Sequence, residues 1–377
     1  MQRRQFLSTL AAAAAVLAVR PSHAQPADKV LVVVELAGGN DGLNTFIPYA
    51  DANYRRLRSD IAIRDGISVS STVALHPALG EWRSHLEASS LAVVQNVGYP
   101  NPDLSHFRSR EIWQSGLLQS SPDTGWLARY LDASGAAPSD AIYIGGEYPL
   151  ALMGTGQRYL HLSPDLVASG SGQLGTAMRE LYSQPQSNPL AERVRQTVVA
   201  GSHAVEQLRQ DMAESSGRGY PRGPVGGTLA LLDRSVRSGA KVVYVTVGGW
   251  DTHTNQSARH ERLLSQLAQG LTALYRNLET EGLDRQVLTL VQSEFGRRPA
   301  QNGTRGTDHG TAGPVMLMGP VRGGFCGGEP ALDSLVADNL PMQVDFRRIY
   351  AEILSRWLGM NAENVLDKSF STLNLLA

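Results

Sequence analysis

Cysteine is all but missing from this sequence: Cys326 stands alone, which excludes an internal disulfide and a thiolate metal cluster. An excess of either charge is missing too. The 34 Lys and Arg offset 35 Asp and Glu to a formal net charge of −1, whereas a nucleic-acid partner would call for a basic excess on one face or domain. Charged residues are only 18% of the chain against 42% hydrophobic, so it is neither a disordered polyelectrolyte nor a membrane protein. Internal repeats and long charge runs are also missing. What the chain has in plenty is glycine, 38 residues, many beside Asp, Asn and His where backbone must turn sharply or approach a ligand closely.

The first 24 residues read as an address. Arg3 and Arg4 are followed by Gln5-Phe6-Leu7, an apolar stretch over 9–19, and the small-x-small cleavage site Ser22-His23-Ala24. That is the order of a twin-arginine export signal. The alternative is an uncleaved anchor, but an apolar stretch of 11 residues is well short of the roughly 20 that span a bilayer. The expectation is a periplasmic or secreted protein, partnered in transit by the twin-arginine export machinery and carrying no transmembrane span when mature. Such export generally carries folded cargo, often with a metal already bound. A cysteine-poor chain in an oxidising compartment must rely on its core for stability.

Along residues 25–377, expected to form a single domain, runs of β-branched and apolar residues recur at 30–36, 91–97, 241–247 and 287–291. Their near-continuous hydrophobicity suits parallel strands buried on both faces. Leu263, Leu264, Leu267, Leu271, Leu274 and Leu278 make one helical stripe, and Phe346, Ile349, Tyr350, Ile353, Leu354 and Trp357 make another. Strand alternating with helix predicts an α/β fold with a mostly parallel sheet covered by helices on both sides. Residues of about 122–224, rich in Gly, Ser, Pro and Gln, read as an insertion or cap around that sheet.

Ligands in open α/β sheets sit beyond the carboxyl ends of the strands. After the first strand comes Gly38-Gly39-Asn40-Asp41-Gly42-Leu43-Asn44, and after the strand at 241–247 comes Gly248-Gly249-Trp250-Asp251-Thr252-His253. The strand at 287–291 leads to Ser293-Glu294-Phe295-Gly296-Arg297, and a glycine-rich loop gives Gly306-Thr307-Asp308-His309-Gly310 before another apolar run, 315–318. Carboxylates and imidazoles at one sheet edge suit a divalent metal. Singly each has a plainer reading: Asp41 as a turn residue, Asp251 as a helix cap. Asp308-His309 in glycine-rich backbone has no packing reason to be there. Ser105 follows the strand at 91–97 near a helix start, where unpaired N–H groups favour an anion, although an ordinary N-cap serine is the alternative. His106 and Arg108 could bind an anionic substrate or make structural hydrogen bonds.

Together the twin-arginine start, Ala37-Gly38-Gly39-Asn40-Asp41-Gly42-Leu43-Asn44, Ser105-His106-Phe107-Arg108, Gly249-Trp250-Asp251-Thr252-His253, Ser293-Glu294-Phe295-Gly296-Arg297 and Asp308-His309-Gly310 resemble the exported bacterial family called domain of unknown function 1501. That family is similar to the alkaline phosphatase and sulfatase superfamily. The resemblance implies a three-layer alkaline-phosphatase-like sandwich, metal ligands at strand ends and a nucleophile at a helix start. It carries Asp41 onto the first-strand aspartate, Ser105 onto the nucleophile, Asp251 and His253 onto a metal pair and His309 onto the last metal histidine. Glu294 falls where an Asp-His pair is usual, but Phe295 takes the place of the imidazole, and Asp308 has no secure counterpart.

The resulting expectation is a metal-dependent hydrolase of phosphate or sulfate esters, acting on a small-molecule or polymer-borne anionic substrate. One ion, of zinc, manganese, magnesium or calcium, would be held by Asp251, His253 and His309, and a second by Asp41, Glu294 and Ser105. Arg108, Arg297 and Asn44 would hold non-bridging oxygens. The alternative is an exported binding or assembly protein with the same fold and a degenerate, non-catalytic site, and Phe295 is the residue that favours it.

Overall fold

A computed structural model describes residues 29–119, 121–137, 140–154, 159–163 and 218–377, with isolated positions between 180 and 195. The export signal at 1–24 and most of 164–217 lie outside the described residues. In chain order the sheet-forming strands are β1 (Val30–Leu36), β2 (Leu91–Gly98), β3 (Ala141–Ile144), β4 (Leu160–Leu162), β5 (Val242–Val247), β6 (Val287–Gln292), β7 (Gly313–Met318), β8 (Gly324–Cys326) and β9 (Val344–Asp345). The helices that cover them are α1 (His106–Ser115), α2 (Trp126–Ala133), α3 (Pro224–Arg237), α4 (Gln256–Thr280) and α5 (Phe346–Glu352).

The sheet runs β8-β2-β7-β6-β1-β5-β3-β4, with β9 also on β2. β1 lies between β5 and β6, parallel to both, and every residue of its Val-Leu-Val-Val-Val-Glu-Leu run is buried. Alternation along a strand sends successive side chains to opposite faces. Val30, Val32, Val34 and Leu36 meet Leu229, Leu232 and Val236 of α3 and Leu264, Leu267, Leu271 and Leu274 of α4. Leu31 and Val33 meet the other layer, where Trp113 of α1 stacks on Phe346 of α5 and Trp126 of α2 stacks on Tyr350. At about 1.5–3 kcal/mol for each fully buried large apolar side chain, these two faces supply the driving force for the three-layer arrangement. The fold is α/β, a mostly parallel sheet flanked by helices.

Two details depart from the expectation. β7 is antiparallel to both β2 and β6. Within the stretch assigned to an insertion, β3 and β4 join the sheet edge, parallel to β5 and to each other, so part of it belongs to the sheet itself.

The C-terminal segment is held by one buried carboxylate. Glu352 accepts the backbone N–H groups of Leu373 at 2.8 Å and Leu376 at 3.0 Å, and that of Leu375. Replacing Glu352 with Ala strands three donors under the sheet. The expected cost is roughly 2–4 kcal/mol in urea denaturation, with faster amide exchange at 373–376. A loss below 0.5 kcal/mol, on the order of an inert surface change, would show that apolar packing alone holds the tail.

Candidate metal centre

Loops leave the carboxyl ends of β1, β5 and β6, and a fourth, residues 306–312, enters β7. Because β7 is antiparallel, its start lies where its neighbour β6 ends, and that brings the fourth loop to the same edge. Close approach of the loops depends on missing side chains. Gly38 has φ +127°, and a Cβ there would fall 2.2 Å from the Asp251 nitrogen; a Cβ on Gly306 would fall 2.2 Å from the His253 carbonyl carbon.

Arg297 joins the four loops. Its buried guanidinium donates from Nε to the Gly39 carbonyl (2.8 Å), from Nη1 to the Thr307 carbonyl (2.8 Å), and from Nη2 to the Gly38 and Trp250 carbonyls and to Asp251 Oδ1 (2.7 Å). Its backbone pairs with His309. Partial burial would raise the Asp251 pKa, but the Arg297 hydrogen bond and charge, with His253 and His309 nearby, hold it at about 2. All three guanidinium nitrogens are committed within the protein, so Arg297 orients Asp251 and has no nitrogen left over for a ligand oxygen.

Around Asp251 stand three imidazoles, each tied down through Nδ1. His106 Nδ1 is 2.8 Å from Glu294 Oε1, His253 Nδ1 is 3.3 Å from Asp308 Oδ1, and His309 Nδ1 is 2.7 Å from the Leu104 carbonyl. Carboxylate and carbonyl oxygens accept, so each Nδ1 is the N–H, and a ring in its neutral form presents an Nε2 lone pair inward. These meet: His253 Nε2 is 2.9 Å from His309 Nε2, and Asp251 oxygens lie 3.0, 3.3 and 3.5 Å from Nε2 of His253, His309 and His106. Ligand atoms of His106, Asp251 and His309 all fall within 4.8 Å of one another. Burial, with the charges of Arg297 and His106, lowers the His309 pKa, which favours its neutral ring; the hydrogen bond to Glu294 outweighs burial and raises that of His106.

Two imidazole nitrogens and one carboxylate this close, with His253 Nε2 beside two of them, are a donor set that fits a divalent cation, and the residues behind them fit the outer contacts that orient metal-binding imidazoles. Asp251 and His253 are 45% and 40% exposed, so the point they face is open to solvent.

Of the residues singled out in the sequence, Asp251, His253 and His309 come together here. Glu294 and Asp308 stand behind them, each holding an imidazole. Glu294 is buried and also accepts the Gly38 N–H at 2.9 Å. His106 joins as a fourth inward group. The sequence offered it only as an anion binder or structural residue, although its place beside Ser105 at a helix start was the available signal. Phe295 is buried against the His106 and His309 rings, with centroids 4.9 and 4.5 Å away.

Three residues are occupied elsewhere. Asp41 is buried, and its Oδ2 accepts from Arg58 Nη1 at 2.6 Å and from Gln256, while its Oδ1 has no partner. Burial alone would raise the Asp41 pKa, but Arg58 outweighs it and the net shift is downward. Asn44 is enclosed by Arg58, Tyr54 and the Ile61 carbonyl. Arg108 bonds Glu111 and the carbonyls of Leu118 and Gln119. Sequence could not supply these partners, since Arg58 is 17 positions from Asp41.

Ser105 is the N-cap residue of α1 but its hydroxyl makes no cap bond; its N–H goes to Asp103 Oδ1 at 2.7 Å. Both its neighbours touch the cluster, Leu104 through its carbonyl and His106 through its ring.

The family model described as "Protein of unknown function (DUF1501)" matches residues 64–369. No curated protein matches the sequence. Among solved structures, the lipoteichoic acid synthase LtaP from Listeria monocytogenes is similar at 7% identity and TM-score 0.40, over 93% of this chain and 77% of that one. The C-terminal periplasmic domain of EcEptC from Escherichia coli, in complex with Zn, is similar at 10% identity and TM-score 0.36, over 79% and 74%. Alkaline phosphatase from the Antarctic bacterium TAB5 is similar at 10% identity and TM-score 0.34, over 80% and 95%.

Behind the centre, His260 is buried with Nε2 2.9 Å from Asn40 Oδ1, and burial pulls its pKa down to about 4. The unfolded chain has the ordinary value of about 6.5, so between these pH values the unfolded state binds the extra proton. Neutral His260 thus contributes stability that is present above pH 6.5 and lost as pH falls through 4. That contribution is on the order of 3 kcal/mol. Urea denaturation from pH 7 to 4 should show this loss, and His260→Gln should flatten the slope; an unchanged slope would remove His260 as its source.

Proposed function

The chain belongs to the DUF1501 family, and from that membership together with the geometry of the centre we propose that it is a metal-dependent hydrolase of phosphate or sulfate esters. One observation carries the reading: His106, Asp251 and His309 bring ligand atoms within 4.8 Å of one another, with His253 Nε2 against two of them, and Ser105, whose hydroxyl makes no cap bond, directly precedes His106 at a helix start. Imidazole nitrogens beside a carboxylate suit an ion of the zinc, manganese or iron kind better than magnesium or calcium, which take oxygen-rich sets. A divalent ion there supplies Lewis-acid stabilisation of charge on the transferred group.

The chain's own residues supply the rest. Glu294, Asp308 and the Leu104 carbonyl keep each ring turned with Nε2 inward, and Arg297 keeps Asp251 ionised and aimed. Ser105 is the candidate nucleophile, and the first N–H groups of α1, unpaired within the helix, can donate to an anionic oxygen. Among the described residues no helix is long and apolar enough to cross a membrane. In this reading the twin-arginine segment delivers the folded protein to the periplasm or beyond.

The second reading, an exported binding or assembly protein, is favoured by the ring of Phe295 packed against two of the histidines and by the pairing of Asp41 with Arg58. The Arg58 pairing occupies Asp41, one of the three ligands that the sequence expectation gave to a second ion.

The test is metal content plus turnover of aryl phosphate and aryl sulfate esters by the mature protein. Asp251→Ala and His309→Ala should lose the metal, and Ser105→Ala should keep it while activity falls by about 10²-fold or more. Folded, metal-loaded wild type that turns over neither ester class would overturn the hydrolase and leave the binding protein. Separately, replacing Arg3 and Arg4 with Lys should leave the full-length protein in the cytoplasmic fraction; unchanged fractionation would refute the address.

A further inference from the structure

Helix α1 carries more than His106 to the sheet edge. His106, Arg110 and Gln114 recur at intervals of four and form one stripe, which faces the carboxyl ends of the strands. His106 meets Glu294; Gln114 Nε2 donates to Glu35 Oε1 at 2.7 Å; Arg110 Nε and Nη2 lie 3.3 and 3.4 Å from the two Glu35 oxygens. Glu35, buried near the end of β1, also accepts from Thr246 at 3.1 Å. Two nitrogens of the guanidinium are thereby fixed against the sheet. The third, Nη1, points outward and meets Glu147 Oε2 at 3.1 Å, and the Glu147 side chain is 77% exposed.

An ion pair with so exposed a carboxylate contributes little to stability, so a ligand anion can displace it. The nearby Arg297 has all three guanidinium nitrogens committed to the protein, and Arg108 its two terminal ones. The separation from the centre follows from two independent measures. One helical turn, about 5.4 Å, lies between His106 and Arg110. On the sheet, Glu35 is in register with Gln292, and Glu294 follows two residues later, about 6–7 Å further along an extended chain. Arg110 is therefore next to the centre but too far along to share the same small anion.

We propose that Arg110 is a specificity-determining residue that binds a second anionic group of the substrate, with the Glu147 carboxylate as the intramolecular occupant that this group displaces. This rests on the hydrolase reading for the first anion, which the centre would take. It narrows the substrate class to esters with another negative group about one helical turn from the scissile one.

The test is binding rather than turnover. Phenylphosphonate and 4-carboxyphenylphosphonate, which have no ester bond to cleave, are titrated calorimetrically into metal-loaded protein. Wild type should prefer the carboxyphenyl compound, whose carboxylate is the second anionic group, by about tenfold. Arg110→Gln should abolish the preference while phenylphosphonate affinity stays unchanged. Glu147→Gln, at an exposed position with no folding risk, should enlarge the preference about threefold or more. The two variants thus shift the ratio in opposite directions, which a merely structural ion pair would not do. A ratio unmoved by Glu147→Gln, or lowered by it, overturns the inference even if Arg110→Gln fails to fold. Failure of wild type to bind either compound overturns both this inference and the hydrolase reading. The expected ratios without ester turnover would leave the inference standing and remove only catalysis.

Discussion

A buried guanidinium must find acceptors for its donors, and Arg297, itself in one loop, finds them in three others. The carbonyls of Gly38, Gly39, Trp250 and Thr307 come from segments far apart in sequence, and each would be an unsatisfied buried acceptor without it. Its charge needs a counter-ion in the same place, and that is Asp251. Loop geometry and carboxylate orientation are therefore one problem with one solution. The glycines at the crossing points follow from it, since backbone can approach backbone this closely only where no Cβ intervenes.

The same logic extends outward from Asp251 in layers. Glu294 is buried, yet its oxygens are satisfied by the Gly38 N–H and the His106 ring, so it stabilises the loop and aims a ligand at once. Asp308 does the same for His253 in a more exposed setting, where the Asn302 amide, ahead of His253, lowers its pKa. Ligand direction is set by the partners of Nδ1, not by the imidazoles themselves. A second network, Asp41 with Arg58, Gln256 and Asn44, lies beneath, and its charges cancel inside the protein. Acids that look equivalent in sequence thus divide into one that faces outward and others that are spent on structure.

That division marks where the sequence stopped being legible. Hydrophobic runs placed β1, β2, β5 and β6 to within a residue or so, and leucine spacing placed α4, because burial on both faces or on one stripe leaves a local pattern. The direction of β7 has no such pattern: a short apolar run is the same read either way. β3 and β4 are three or four residues long, in a stretch whose glycines and prolines hide them. Strand ends singled out Asp251, His253 and His309, whose side chains lie against one another at one sheet edge. Asp41 and Asn44 sit at a strand end too, but their partners Arg58 and Tyr54 come from a later helix and its C-cap, and pairing over such a gap is a tertiary fact. His106 was legible in part, as a histidine at a helix start next to a candidate serine. Its inward role needed Glu294, 188 positions away, to become visible.

The layered burial also explains how an open centre keeps its shape. Exposed long-range ion pairs are screened and weak, so a site assembled only from half-exposed Asp251, His253 and Asp308 would be free to rearrange. Here the rigid contacts are placed behind, in low dielectric, at Arg297 and Glu294, where losing one partner is costly. The side chains in front inherit their positions from that layer. Exposure is then compatible with preorganisation: the ligating atoms can stay accessible to solvent and to a large or charged ligand, because the energy that fixes them is stored in hydrogen bonds that the ligand never touches.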